Sequence, residues 1–250
     1  MLTLQRQEMI LKLLKEKGSV TTQEISEKLG ISESTARRDI SYLDKEGKLS
    51  KVFGGAAFKE QQQVTAYEYT FEQKNDLNID EKKKIARYAA LLIEKNDFVY
   101  LDAGTTTAYM IDYIEEQAVT FVTNGITHAR QLAAGGFKVY LVGGELKAST
   151  EAIIGSYAME TLKNYNFTKG FFGTNAITRE NGCTTPDANE ALVKKMAMSH
   201  CRESYVLCDY SKFNKISSVS FAPFEGTNFI CDRMVPGYEK CNNITVIKIE

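Results

Sequence analysis

The stretch SESTARRDISYLDKEGKLSKVFGGA, residues 32–56, decides how the first quarter of this 250-residue chain folds. Ser32 is a helix cap: its hydroxyl can accept from the free amides of a first turn. At about 100° per residue, Ala36, Ile40 and Leu43 fall on one narrow stripe, which must face a small core. The opposite face presents Ser34, Arg38, Ser41 and Lys45, with Arg37 on its flank. Gly47 ends the helix. The basic run from Lys48 to Phe53 then enters Gly54-Gly55, a strand and tight turn with the form of a wing.

Upstream, Ile10, Leu13 and Leu14 define the apolar face of a first helix that ends at Gly18. Thr21 and Glu24 form a Thr-x-x-Glu capping box that opens a second helix. Ile25 and Leu29 bury together, Gly30 turns the chain and Ile31 plugs the turn. A short helix, a glycine turn and a second capped helix make a helix-turn-helix, here followed by a wing over residues 1–56. Such a helix can enter a major groove with arginine forks aimed at guanine edges or phosphates. The residues expected at double-stranded operator DNA are Thr22, Ser32, Ser34, Thr35, Arg37, Arg38, Ser41, Lys45 and Lys51. Spacing alone also suits a three-helix miniature core with a solvated charged face. Charge does not separate the two readings: residues 1–60 hold 11 Lys and Arg against 9 Asp and Glu, a net of only +2.

The composition is that of a globular chain, with 43% hydrophobic and 25% charged residues and a net charge of −1. No apolar run is long enough to span a bilayer, and no basic-then-apolar leader opens the chain, so no membrane partner and a cytoplasmic location are expected. Five cysteines at 183, 201, 208, 231 and 241 never reach a C-x-x-C spacing, and there are two histidines, His128 and His200. Reduced thiols are expected, with no metal and no cofactor.

Residues 57–79 are polar, rich in Gln and Glu, and read as a linker with a short helix. From 80 to 250, helical segments alternate with short apolar strands. Strands are expected at 98–101, 120–123, 139–142, 167–172, 205–208, 228–230 and 245–249. Helices are expected near 80–95, 107–116, 126–134, 151–164 and 188–202. That alternation implies a Rossmann-like, mostly parallel α/β sheet covered on both faces.

In such a sheet, ligands bind beyond the carboxyl ends of the strands. The residues there are Asp102, Gly104, Thr105, Thr106 and Thr107 after the first strand. Thr123 and Asn124 end the second, Gly143 and Gly144 the third, Gly173, Thr174 and Asn175 the fourth, and Lys212 follows the fifth. The Gly-Thr-Thr-Thr run suits an anion, because glycine admits a close backbone approach and the hydroxyls donate. The same residues also suit a plain strand-to-helix turn. Asp187, Glu190 and Lys194 share one helix face, which offers either a surface ion pair or two carboxylates for sugar hydroxyls beside a phosphate-neutralising lysine. Lys195 points elsewhere and is expected in solvent.

These motifs resemble the DeoR family of bacterial repressors. The family's N-terminal core reads S-x-x-T-x-R-R-D-L-x-x-L-x-x-x-G-x-L-x-R-x-H-G-G-A. Ser32, Thr35, Arg37, Arg38, Asp39, Leu43, Gly47, Leu49 and Gly54-Gly55-Ala56 match it, while Lys51 replaces an arginine and Phe53 a histidine. The family's sensor domain carries D-x-G-T-T, T-N, G-G, G-x-x-G, D-x-x-E-x-x-x-K and D-x-S-K. Here these are Asp102 to Thr106, Thr123-Asn124, Gly143-Gly144, Gly173 to Ala176, Asp187/Glu190/Lys194 and Asp209/Ser211/Lys212. The resemblance implies a sensor domain folded like sugar-phosphate isomerases and a response to phosphorylated sugars. Residues 101–107 and 182–187 look most like the fructose-operon repressors of low-GC Gram-positive bacteria, whose effector is fructose 1-phosphate. Cys183, Asn175 and Asn214 depart from the residues frequent there. The expectation is a repressor and not an enzyme, acting as a homodimer or homotetramer, with an isomerase fused to a DNA-binding domain as the alternative.

Overall fold

Capping and glycine stops set the first elements. In the computed structural model, which describes residues 2–58, 64–65 and 67–247, α1 (Thr3–Lys17) stops at Gly18, whose φ is +76°. A short β1 (Ser19–Thr21) leads into α2 (Thr22–Leu29), opened by the Thr21–Glu24 capping box and closed by Gly30 in the left-handed region. The recognition-type helix α3 (Glu33–Lys45) is capped by Ser32. β2 (Leu49–Val52) and β3 (Gly55–Phe58) form the wing hairpin, and β1 pairs antiparallel with β3. The stripe read from sequence is the core: Ile10, Leu14, Ile25, Ala36, Ile40, Leu43 and Leu49 are all buried together. Removing each of the Ile and Leu side chains from water is worth about 1.5–3 kcal/mol.

The chain divides into two compact units, Met1–Gln62 and Gln63–Glu250. The second begins with β4 (Val64–Thr65), α4 (Phe71–Asn75) and α5 (Ile79–Ala90). Then follow β5 (Phe98–Leu101), α6 (Thr105–Ile111), β6 (Thr120–Thr123), α7 (Ile126–Ala134) and β7 (Lys138–Leu141). A hairpin, β8 (Glu145–Lys147) with β9 (Ala152–Ile154), precedes α8 (Ser156–Leu162) and β10 (Phe167–Gly173). β11 (Ala176–Thr178), β12 (Gly182–Thr185), α9 (Ala188–Ser199) and β13 (Cys201–Leu207) come next. The unit closes with β14 (Ile216–Ser217), β15 (Val219–Ala222), β16 (Asn228–Cys231) and β17 (Ile244–Val246).

The main sheet has the order β17-β16-β13-β10-β5-β6-β7, and every pairing in it is parallel. Alternate residues enter opposite layers. Tyr100, Val122, Phe172, Val206 and Phe229 pack on one face, and Val99, Leu101, Phe121, Phe171 and Ile230 on the other. The expected parallel α/β sheet covered on both faces is therefore present.

Several boundaries differ from expectation. The helix expected over 151–164 begins as a strand, because Ala152–Ile154 pairs with Glu145–Lys147 and Gly155, at φ +91°, breaks the chain before α8. The third main-sheet strand lies at 138–141, one residue earlier than read, and β13 starts at Cys201, where a helix was expected to continue. Part of the segment read as a linker, 64–79, belongs to the second unit: β4 pairs parallel with β14, and Phe71 N–H donates to Ser149 O at 2.8 Å. Residues 59–63 and 66 of that linker, and 248–249 of the last strand, lie outside the described residues. The five cysteines are free thiols, three of them buried. Among the described residues no helix is long and apolar enough to cross a membrane.

Candidate functional site

In the first unit, α3 shows the expected exposed face. Ser34, Arg37, Arg38 and Lys45 are exposed and Ser41 is half-buried. Behind it, the guanidinium of Arg6 grips the buried carboxylate of Asp39, one nitrogen of the fork at 3.0 Å, and so anchors α3 to α1. Arg37 pairs along the helix with Glu33 at 2.7 Å, whereas Arg38 has no protein partner among the described residues. Lys51 Nζ donates to Ser41 Oγ at 2.9 Å, tying the wing strand to α3. Ser32 and Thr35 are engaged in the cap. Thr22 is a correction: it is 5% exposed and its hydroxyl donates to Gly54 O, so it braces the wing turn and has no free group for DNA. Phe53 stands fully exposed at the wing tip.

In the second unit a cavity of about 360 Å³ opens beyond the ends of β5, β10 and β13. The chain runs outward from β5 to β7 and returns on the other side at β10, so the cavity sits where the strand order reverses. Gly104, Thr105, Thr106, Gly173, Thr174, Asn175, Glu190, Lys194 and Lys212 line it. Gly104 and Gly173 abut, since a Cβ on Gly104 would sit 3.6 Å from Gly173 Cα. The hydroxyls of Thr105 and Thr106 make no hydrogen bond within the described protein and open to the cavity.

The remaining expected residues stand behind this wall. Asp102, 1% exposed, accepts from Gly173 N–H at 2.9 Å and from the Lys194 ammonium. Thr107 turns inward: its hydroxyl donates to Asp102 O and accepts from Gly104 N–H at 3.0 Å. With that proton used, His128 Nε2, 3.1 Å from Thr107 Oγ1 and 3.0 Å from Gly104 O, must carry the ring proton. Complete burial lowers the His128 pKa to about 4, so the ring is neutral. Thr123, Asn124, Gly143 and Gly144 do not reach the cavity, because β9 fills the space beyond β6. Ile153 N–H donates to Asn124 O, the Asn124 side chain bonds Ile153 O at 3.2 Å, and a Cβ on Gly144 would lie 2.7 Å from Ile154 O. Asn124 still serves the wall by accepting from Ala103 N–H and Tyr100 OH, each at 3.0 Å.

The face of α9 matches neither of the two expected arrangements in full. Asp187 is the N-cap, accepts from Glu190 N–H at 2.9 Å, and does not line the cavity. Glu190 does, held by Thr150 Oγ1 at 2.5 Å and Lys147 Nζ at 3.2 Å. Burial opposes its charge, yet Lys194, Thr150 and Lys147 together keep its pKa below the ordinary carboxylate range. Lys194 pairs with Asp102 instead of Glu190.

The cavity also draws on residues that no strand-end rule points to. Tyr67, Tyr69, Phe71, Lys74 and Asn78 come from the segment before α5, Lys82 from α5, Lys215 from the approach to β14 and Ser217 from β14 itself. Lys147 fastens that early segment to α9, lying 2.5 Å from Glu68 and 3.1 Å from Asp187, and its pKa is raised by these partners against its own desolvation. Only Lys82 had a sequence signal. It stands three and four residues before Ile85 and Ala86, on the buried stripe of α5, where a lysine is out of place unless it has work there. Among the described residues, no group of three or more His, Cys, Asp and Glu side chains could hold a metal.

Two family models match the chain: a DeoR-like helix-turn-helix domain over residues 6–62 and a DeoR C terminal sensor domain over residues 77–233. A Bacillus subtilis (strain 168) protein described as the uncharacterized HTH-type transcriptional regulator FruR is 39% identical over 251 residues, covering 100% of this chain and 99% of that one. The lactose phosphotransferase system repressor of Staphylococcus aureus (strain N315) is 33% identical over 98% of this chain and 96% of that one. Among solved structures, ribose 5-phosphate isomerase A of Methanocaldococcus jannaschii aligns at a TM-score of 0.42 and 18% identity, covering 54% of this chain and 55% of that one.

Proposed function

Because the chain belongs to the DeoR family of DNA-binding transcriptional regulators, we propose that it represses a fructose-utilisation operon and leaves its operator when a sugar phosphate such as fructose 1-phosphate fills the cavity of the second unit. One observation carries the effector half of this reading. Five lysines (Lys74, Lys82, Lys194, Lys212 and Lys215) line the cavity against one carboxylate, Glu190. A concave site of this volume and charge suits a small polyhydroxylated anion. Glu190, Asn175 and the Thr105, Thr106 and Thr174 side chains supply partners for sugar hydroxyls. The relatives support the sugar assignment, since one is a repressor of a lactose phosphotransferase system.

On the DNA side, Arg38 is the guanidinium of α3 that remains free for a guanine edge or a phosphate. Two copies are required, because one short helix reads only a half-site and a dimer sets the spacing between two. Release then follows from differential affinity: the effector favours a state in which the two readers no longer match that spacing. The cavity-lining residues between Thr65 and Asn78 are the part of the second unit nearest the DNA-binding unit in sequence, so a bound ligand would touch the start of the second unit. The isomerase alternative loses support, because the full-length relatives are regulators and Asp187 is occupied as a helix cap.

Gel-shift titration of operator DNA, selected by binding to the protein, with fructose 1-phosphate, fructose 6-phosphate and other hexose phosphates tests the reading. Release by fructose 1-phosphate at the lowest concentration is expected. If no sugar phosphate releases the DNA at millimolar concentration, the effector assignment is wrong.

A further inference from the structure

The lysine most deeply buried at the cavity wall has no counter-ion. Lys82 is 3% exposed, its ammonium donates to the backbone carbonyl of Lys74, and among the described residues no carboxylate lies within 4.0 Å of it. The groups that face it are Lys74 and Asp76, from the segment before α5, and Asp209 and Lys212, from the turn after β13. Asp209 is fully buried and, although its charge favours the ammonium, it makes no ion pair with Lys82 within 4.0 Å. Its Oδ1 is taken by Asn78 at 3.1 Å and Ser211 N–H at 3.0 Å, and its Oδ2 accepts no hydrogen bond. Lys74 reaches Glu68 only at 3.7 Å, and the Lys212 side chain makes no hydrogen bond or ion pair among the described residues. Three ammonium groups therefore share one end of the cavity, and among the described residues only Lys74 has a carboxylate within 4.0 Å. Burying a charge without a partner is costly, so such a group either sheds its proton or awaits an anion.

We propose that Lys74, Lys82 and Lys212 form the subsite that recognises the phosphoryl group of the effector, and that Lys194 does not. Lys194 was the sequence-based candidate, but its ammonium is held by Asp102 and by Gly173 O at 3.3 Å. It shapes the wall between Asp102 and Phe221 and leaves the sugar end to Glu190 and Asn175. The inference rests on the sugar-phosphate reading of this cavity and adds which end of it takes the phosphate. It also joins two parts of the fold, because Lys74 belongs to the segment following the DNA-binding unit while Lys82 and Lys212 belong to the body of the sensor. A bound phosphoryl dianion would tie the one to the other. Burial lowers the Lys82 pKa to about 8 in the empty cavity, so affinity should fall as pH rises from 7 to 9, with proton uptake on binding above pH 8.

Calorimetric titration of the full chain with fructose 1-phosphate, with fructose, and with inorganic phosphate as the minimal probe tests this. Lys82→Met and Lys212→Gln should each weaken fructose 1-phosphate and phosphate binding about ten- to hundredfold, the range for a charge-assisted hydrogen bond. DNA binding without ligand should not change, and Lys195→Met, on the exposed side of α9, should behave as the parent. Met on the apolar stripe of α5 is compatible with folding, and Lys212, half-buried in a turn, gives an independent second variant. If the parent binds fructose 1-phosphate and both variants bind it equally well, the subsite is wrong and the effector reading stands. If the parent binds no sugar phosphate, the effector reading falls, and the phosphate titration alone decides the subsite. Phosphate binding lost in both variants supports it, and no phosphate binding by the parent overturns it.

Discussion

At the scale of single residues, partners separate contact from support. Arg37 and Arg38 are neighbours on α3, yet Arg37 is engaged by Glu33 while Arg38 is free. Arg38→Ala should therefore weaken operator binding about ten- to hundredfold, at roughly 1–3 kcal/mol per contact, with ligand titrations unchanged. Arg37→Ala should cost less, and gel shifts on both variants make the comparison. His128 gives a pH prediction. Its folded pKa of about 4 lies below the ordinary 6.5, so the unfolded chain takes up the proton first as pH falls. The stability from burying the neutral ring is present above pH 6.5 and drains away toward pH 4. Between pH 7 and 5 this one group removes about 2 kcal/mol from the unfolding free energy. Urea unfolding of the protein and of His128→Gln across that range should show the slope shrinking in the variant.

At the scale of elements, two attachments decide function. β1 lies so close to β3 that a Cβ on Gly55 would sit 2.2 Å from Val20 O, a backbone atom that cannot step aside. Gly55→Ala should part β1 from the wing hairpin, lower the melting temperature of the first unit and abolish DNA binding, while calorimetry still records the sensor's ligand. The second attachment is Lys147, which fastens the segment before α5 to the start of α9 through Glu68, Asp187 and Glu190. Lys147→Met leaves three carboxylates without their shared cation. Hydrogen exchange over residues 64–78 should accelerate and ligand affinity should fall, and unchanged exchange would show that the segment is held without Lys147. The recognition helix, its cap and its core stripe were legible beforehand because they depend on neighbours three and four residues away. The β8–β9 hairpin was not, because Ala152–Ile154 is apolar enough for helix or strand and only its pairing with Glu145–Lys147 decides.

For the whole molecule, the two units have separate cores, Ile10 to Ala56 in the first and the two faces of the parallel sheet in the second. Scanning calorimetry should resolve two transitions. Saturating effector should raise the one belonging to residues 63–250, by about 2.7 kcal/mol at a hundred times Kd, and operator DNA the other. A single transition shifted equally by both ligands would contradict this assignment.

The amino-acid sequence by itself determined the class of the protein. Caps, glycine stops and the α3 stripe specify a winged helix-turn-helix, and apolar runs ending in glycine, hydroxyl and charged residues specify a parallel sheet with a site at its carboxyl edge. Those signals are local, and local chemistry survives translation into structure. What only the tertiary structure decided is which polar residues are available. Thr22, Asp187 and Lys194 are spent on Gly54, a helix cap and Asp102, while Lys74 and Lys82, far from any strand end in sequence, arrive at the cavity, Lys74 only 3.7 Å from Glu68 and Lys82 with no carboxylate within 4.0 Å among the described residues. Availability depends on which charges the folded chain brings within a few ångströms, and the pairs that matter are separated by as many as 92 residues.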